Sequence, residues 1–256
     1  MAPLPTLALA RLIAKTFLTD DFLLIIIYGN LRMGKSAYAM KVLGQVYDYL
    51  WGSPLSVDLI DRYLGWDPHE VIDDWSAIER RIPMYIWDDA GFWLFSMNWN
   101  DPLLVAIQKY MNVIGTDMNC LVLTTPDPTW ILSKMVNMPG TIRVKIIKRD
   151  GGIGDSKSQL YSRQARGYKP YRSPDLKKTG VNKILTDDFS CYIPDHIYDF
   201  YQPKREHYAK MAKRQIREVL LSKIKPKTLF PDYIGKNIDE EIASSHERLN
   251  TEKGDE

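Results

Sequence analysis

The chain has 256 residues, 45% of them hydrophobic and 26% charged, with a formal net charge of +2. This excludes a disordered chain and suits one globular domain with room for an appendage. Cys120 and Cys191 lie far apart and outside any Cys-x-x-Cys pair, which argues against a disulfide framework or a zinc site and for free thiols in a reducing compartment.

Residues 5–18 read as an amphipathic helix with Arg11 and Lys15 about one turn apart. The apolar run is too short to span a membrane and lacks the leading charge and cleavage site of a secretory signal, so no membrane partner and a cytoplasmic location are expected. Phe22 to Tyr28 is an apolar strand. It leads into Gly29-Asn30-Leu31-Arg32-Met33-Gly34-Lys35-Ser36, followed by Ala37 and a helical pattern to Leu50. G-x-x-x-x-G-K-S between a strand and a helix is the context a phosphate-binding loop needs. The glycines let backbone N–H groups turn toward phosphate oxygens, and the helix start adds partial positive charge. Residues 29–37 are therefore the candidate ATP-binding segment. Lys35 would reach the outer phosphates, and Ser36 would ligate Mg²⁺.

Leu55 to Gly65 reads as a short helix. Asp67-Pro68-x-Glu70 starts another, running to about Arg81, with Asp67 as N-cap and Glu70 completing a capping box. An apolar strand from Ile82 to Trp87 ends in Asp88-Asp89, the form of a Walker B motif 53 residues beyond Lys35. Strand alternation would point the two carboxylates to opposite sides, Asp88 toward the Mg²⁺ shell and Asp89 toward the attacking water. Asp101-Pro102 opens a further helix ending near Gly115. Cys120 to Thr125 is a buried strand, and Asp127-Pro128 begins a short helix to about Val136. Thr141 to Arg149 alternates as a strand. It pairs in an edge hairpin with a second strand at about Gln159 to Ala165, across the turn Asp150 to Asp155. Gly167 to Pro174 reads as a loop, Asp175 to Pro203 as irregular with a short helix after Ile193, and Pro203 as the start of a basic helix to Ile224.

This order predicts an α/β fold: a mostly parallel sheet with helices on both faces, an edge hairpin and a basic helical C-terminal extension. The predicted division is a core over 1–166 with the N-terminal helix, a mainly helical extension over 167–230 and an acidic tail over 231–256. Charge follows it: residues 1–140 hold 10 Lys and Arg against 15 Asp and Glu, residues 141–230 hold 21 against 9, and residues 231–256 hold 3 against 8. A basic segment after an acidic one points to a polyanion partner, with a solvated charged face as the plainer reading. Arg163, Arg166, Lys204, Arg205, Lys210, Lys213, Arg214 and Arg217 are the DNA-contact candidates.

The loop at 29–36, the Asp88-Asp89 pair and an intervening strand ending in Thr124-Thr125 together resemble the additional-strand division of P-loop NTPases, which includes AAA+, RecA-like and HerA/FtsK-like ATPases. The resemblance covers residues 22–149. It implies ATP hydrolysis with Asp89, Lys35 and a polar contact from Thr124 or Thr125 in catalysis. It also implies a homo-oligomer, up to a hexameric ring, in which one subunit's arginine completes the neighbouring site. WDDAG at Trp87–Gly91, TTPDP at Thr124–Pro128 and PKREHYAK at Pro203–Lys210 are similar to small DnaA-like ATPases of archaeal spindle-shaped viruses and plasmids, which implies a role on DNA in the host cytoplasm. The chain departs in placing Asp89 where most members have Glu, and no motif marks an arginine finger. The expected function is an ATPase acting on DNA in replication initiation, loading or genome packaging. A nucleotide-gated DNA-binding scaffold that hydrolyses poorly is the alternative. A small-molecule kinase is disfavoured by the absence of an Arg-rich lid, and a GTPase because Asn182-Lys183-Ile184-Leu185 lacks the Asp that reads guanine.

Overall fold

The computed structural model describes residues 3–149, 161–172 and 179–223. Helix α1 (Ala8–Leu18) precedes strand β1 (Leu23–Tyr28), and the loop after β1 runs into α2 (Lys35–Trp51). Then come α3 (Val57–Tyr63), the two-residue strand β2 (Leu64–Gly65), α4 (Pro68–Ser76), β3 (Tyr85–Trp87) and the single turn α5 (Ala90–Trp93). The chain continues through α6 (Pro102–Tyr110), β4 (Cys120–Thr125), α7 (Ser133–Val136), β5 (Ile142–Lys148), β6 (Ser162–Arg172), β7 (Thr179–Ser190) and α8 (Asp195–Lys223).

The sheet order is β2-β3-β4-β1-β5-β6-β7. Its first five strands are parallel, and β5-β6-β7 are antiparallel. The expected mostly parallel α/β fold with an antiparallel hairpin at one edge is what forms. β4 sits between β1 and β3, so the strand carrying Thr124 separates the strand before the loop from the strand before Asp88. Leu24, Ile26, Tyr85, Trp87, Leu121 and Leu123 share a buried cluster with Val71 and Trp75 of α4, Leu104 and Ile107 of α6 and Met135 of α7. Ile25, Ile27 and Val122 have the opposite strand parity, so they face the other way, and they too are fully buried. Helices α1 and α2 pack against each other, and α2 lies against β1 and β4, which covers that second face.

Several elements differ from expectation for local reasons. The helix at Pro68 stops at Ser76 rather than Arg81, and Glu70 accepts the N–H of Trp66 while Asp67 accepts those of His69 and Glu70. Leu55 to Gly65 yields a shorter helix followed by β2, the strand that helical periodicity concealed. Asp127 caps a 3-10 turn over Pro128–Trp130, and α7 is a separate turn after it.

The larger correction concerns 167–190. The segment expected as a loop continues β6 to Arg172, and the segment expected as irregular contains β7. The sheet therefore continues past residue 166, where a helical extension was expected to begin. Pro170 is accommodated because β5 pairing ends at Arg143↔Tyr168, leaving Pro170 paired only with Val181 of β7, so no ladder bond to β5 is lost. The turn expected over Asp150 to Asp155 lies outside the described residues. Pro203 does not open a helix; it lies inside α8, which already begins at Asp195.

The chain divides into two compact units at Arg205/Glu206. In the described part of the second, residues 206–223 are helical, with Lys210, Lys213, Arg214 and Arg217 exposed and Arg214 Nε paired to Glu218 Oε1 at 2.9 Å. Among the described residues no helix is long and apolar enough to cross a membrane.

Candidate nucleotide site

The site forms at the carboxyl ends of β1, β3 and β4, where open parallel sheets present their crevices. Gly29 and Gly34 hold φ of 144° and 85°. A Cβ on Gly29 would lie 2.7 Å from the Ile146 carbonyl oxygen, and one on Gly34 would lie 2.5 Å from Cys191 Cβ. Both positions therefore demand glycine for space as well as conformation. Gly34 is the N-cap of the 17-residue helix α2, and no side chain caps its first N–H groups, which leaves a long helix's positive end open to an anion.

Lys35 curls back over the loop. Its Nζ donates to the carbonyls of Gly29 at 2.9 Å and Asn30 at 3.0 Å. Burial lowers its pKa, opposed by the charges of Asp89 and Asp88. Leu31 and Arg32 are exposed at the tip, Arg32 with φ 61°. Ser36 Oγ donates to Asp88 Oδ1 at 2.9 Å, which joins the loop to the end of β3 across 52 residues.

Asp88 is fully buried. Its Oδ1 also accepts from Thr124 Oγ1 at 2.6 Å, and its Oδ2 accepts from the Tyr201 phenol at 2.5 Å. Strand alternation does not carry through to Asp89. β3 ends at Trp87, and Asp89 adopts φ 48°, a left-handed conformation that Asp tolerates, with its N–H donating to Thr124 Oγ1 at 2.8 Å. Burial and the neighbouring charge of Asp88 push the Asp89 pKa up to about 6, against the opposing charges of Arg205 and Lys35.

The hydroxyls at the end of β4 are committed. Thr124 gives its only proton to the Asp88 carboxylate while accepting from the Asp89 backbone N–H, so it ties the Asp88 carboxylate to the main chain at Asp89. Thr125 Oγ1 donates to the Asp127 carbonyl at 2.9 Å. A Cβ on Gly91 would lie 2.3 Å from Thr125 Oγ1, so the glycine of WDDAG leaves the room that this threonine of TTPDP fills.

The DNA-contact candidates separate. Arg163 is buried in β6, with Nη1 on the Ser162 carbonyl, and Arg166 is half-buried, with Nε on Gln164 Oε1. Lys204 Nζ meets Asp61 Oδ1 at 2.5 Å and lies over the rings of Phe200 and Trp66. Arg205 is exposed; partial burial works against its charge, but Tyr201, Asp89 and Asp88 outweigh that and hold its pKa above the ordinary value. Lys210, Lys213, Arg214 and Arg217 stay exposed in the second unit. The role of Tyr201 had no signal in the sequence, because a phenol 113 residues from its carboxylate belongs to no local pattern.

A strand, a glycine loop with an uncapped helix start, and a serine bonded to the aspartate of a nearby parallel strand make up the arrangement that a phosphate-binding loop needs. No family model matches the chain. It is 28% identical over 210 residues to an uncharacterized protein, B-251, of Sulfolobus spindle-shape virus 1, covering 79% of this chain and 81% of that one. It is 24% identical over 224 residues to an uncharacterized protein, ORF286, of Acidianus two-tailed virus, covering 80% and 76%. Among solved structures, the N-terminal domain of zonular occludens toxin from Neisseria meningitidis matches at TM-score 0.38 and 11% identity, covering 70% of this chain and 98% of that one. The genome packaging NTPase B204 of Sulfolobus turreted icosahedral virus 2, in complex with AMPPCP, matches at TM-score 0.33 and 12% identity, covering 65% and 99%. The chemistry of the site follows from this chain's own residues.

Proposed function

We propose that the protein binds Mg·ATP on residues 29–37 and hydrolyses it in work on DNA, in replication initiation, loading or genome packaging. The observation that carries this is the Ser36–Asp88 hydrogen bond beneath an uncapped helix start. Mg²⁺ typically takes one or two protein oxygens, with phosphates and water completing its shell. Ser36 and Asp88 supply that set. Among the described residues no group of three or more His, Cys, Asp or Glu would hold an ion on its own, which fits a cation held chiefly through the nucleotide. When bound, the cation would neutralise charge on the outer phosphates.

Lys35, released from the Gly29 and Asn30 carbonyls, would pair with the outer phosphates. Asp89, with a pKa of about 6, is suited to accept a proton from water near neutrality. Thr124 holds the Asp88 carboxylate and the Asp89 main chain in place beside the phosphate position. The DNA part rests on the exposed Lys210, Lys213, Arg214 and Arg217, and its setting, the host cytoplasm, on the viral relatives. Assembly into a homo-oligomer is supported by the exposed Phe92, Met97 and Trp99 that follow Asp89, and by exposed Trp130. The short reach of Asp89 favours the second reading, a nucleotide-gated DNA-binding scaffold with little turnover.

Steady-state phosphate release with and without DNA, for wild type and Lys35→Ala, tests the proposal. Turnover in the wild type that is lost in Lys35→Ala is expected. Turnover that survives the substitution counts against the site, and ATP binding without turnover selects the scaffold reading.

A further inference from the structure

Asp88 is a buried carboxylate held by three neutral hydroxyls: Ser36, Thr124 and Tyr201. Among the described residues it forms no ion pair within 4 Å. A buried carboxylate without a bonded cation is costly, and the hydroxyls offset that cost only in part. Two of the three donors sit beside the loop and on the neighbouring strand. The third arrives from α8, beyond the antiparallel hairpin.

Tyr201 is 3% exposed. Its ring packs on Trp66 at 5.5 Å between centroids, and the Trp66 carbonyl in turn accepts Trp87 Nε1 at 2.6 Å, which ties the ring's support to the strand that ends at Asp88. One turn on, Lys204 anchors the same helix to Asp61. At the entry to the helix, Cys191 closes on Gly34. The phenol is thus held from several sides with its oxygen on Asp88 Oδ2.

We infer that Tyr201 is a positioning residue for the divalent cation. Its hydrogen bond fixes the Asp88 carboxylate so that the cation shared with Ser36 finds its ligand already oriented, and it gives α8 a direct hold on the metal-binding carboxylate. The inference rests on the reading of residues 29–37 as an Mg·ATP site. Partners that orient metal-binding carboxylates contribute about 10–100-fold to metal affinity.

The test is ATP affinity of the full chain, measured with a fluorescent ATP analogue in EDTA and across an Mg²⁺ titration, for wild type, Tyr201→Phe and Lys204→Met. Tyr201→Phe removes one oxygen and keeps the ring on Trp66. It should raise the Mg²⁺ concentration for half-maximal tight binding about tenfold while leaving metal-free affinity within about twofold. Lys204→Met loosens the helix anchor but keeps the phenol, and should shift the Mg²⁺ dependence by less than Tyr201→Phe does. An unchanged Mg²⁺ dependence in Tyr201→Phe overturns the inference. So does a parallel loss of metal-free and Mg²⁺-supported affinity, or an equal shift in Lys204→Met, since each marks packing rather than the phenol. A wild type that binds no nucleotide, or binds it equally with and without Mg²⁺, removes the underlying reading and the inference with it.

Discussion

Asp187 ties the sheet edge to both helices of one face, and removing it should cost more than any surface substitution. The side chain is buried in β7, where its carboxylate accepts from the N–H groups of Ala8 at 2.6 Å and Leu9 at 3.1 Å, and from the Tyr38 phenol at 2.6 Å. It caps α1 from a distant strand and pins the first turns of α2. In Asp187→Ala the two helix N–H groups lose their cap, about 1–2 kcal/mol. Tyr38 is fully buried, so water does not replace the lost acceptor, which adds about 1–3 kcal/mol. The total of about 2–5 kcal/mol should appear as a lower urea midpoint at unchanged slope. Asp187→Asn keeps one acceptor oxygen and should cost about half as much. Tyr38→Phe alone should cost about 1 kcal/mol, and its cost should shrink in the Asp187→Ala background, because the unpaired phenol is then gone. A loss below about 1 kcal/mol for Asp187→Ala, or full additivity with Tyr38→Phe, refutes this account of the junction.

Three further outcomes follow. Gly34→Ala imposes about 1–2 kcal/mol of left-handed strain and a Cβ 2.5 Å from Cys191 Cβ, so it should lower stability and ATP affinity together. Adding Cys191→Gly should restore part of the stability by removing the clash; no recovery in thermal denaturation would show that the two residues do not touch. Burial raises the Asp74 pKa to about 6, with its hydrogen bond from Tyr85 opposing, so folding favours the protonated acid and Asp74 costs stability increasingly as pH rises from about 4 through 6. Asp74→Asn should therefore gain stability over wild type between pH 4.5 and 7.5, on the order of 1 kcal/mol; a urea-midpoint difference that does not change with pH speaks against the shift. Neutralising Lys210, Lys213, Arg214 and Arg217 together should flatten the dependence of log DNA affinity on log salt, by up to about 3.6 in slope if all four meet duplex phosphates; an unchanged slope in anisotropy titrations would place the DNA surface elsewhere.

Much of the phosphate loop was legible because its demands are local: glycines where space and φ allow nothing else, then Lys35 and Ser36 at fixed offsets. Asp88 was legible because it ends an apolar strand. β7 was not, and Asp187 is the reason: in Leu185-Thr186-Asp187-Asp188-Phe189 the inward positions are Leu185, Asp187 and Phe189, and a buried carboxylate in the middle breaks the apolar alternation. Pro170 similarly disguised β6, because its tolerance depends on where β5 stops. Inside the site, the fates of Thr124, Tyr201 and Arg205 depend on contacts between distant segments that no spacing encodes. That is also why Arg163 and Lys204 read as solvent-facing cations when they are held by the fold.

The central claim is that residues 29–37 bind ATP through Lys35. Calorimetric titration of ATP with Mg²⁺ into wild type and Lys35→Ala tests it most directly. Loss of a charge-assisted contact of about 1.5–3 kcal/mol predicts saturable binding by the wild type and an affinity roughly ten- to a hundredfold weaker in the variant. A wild type that does not bind ATP, or a variant that binds it equally well, contradicts the account.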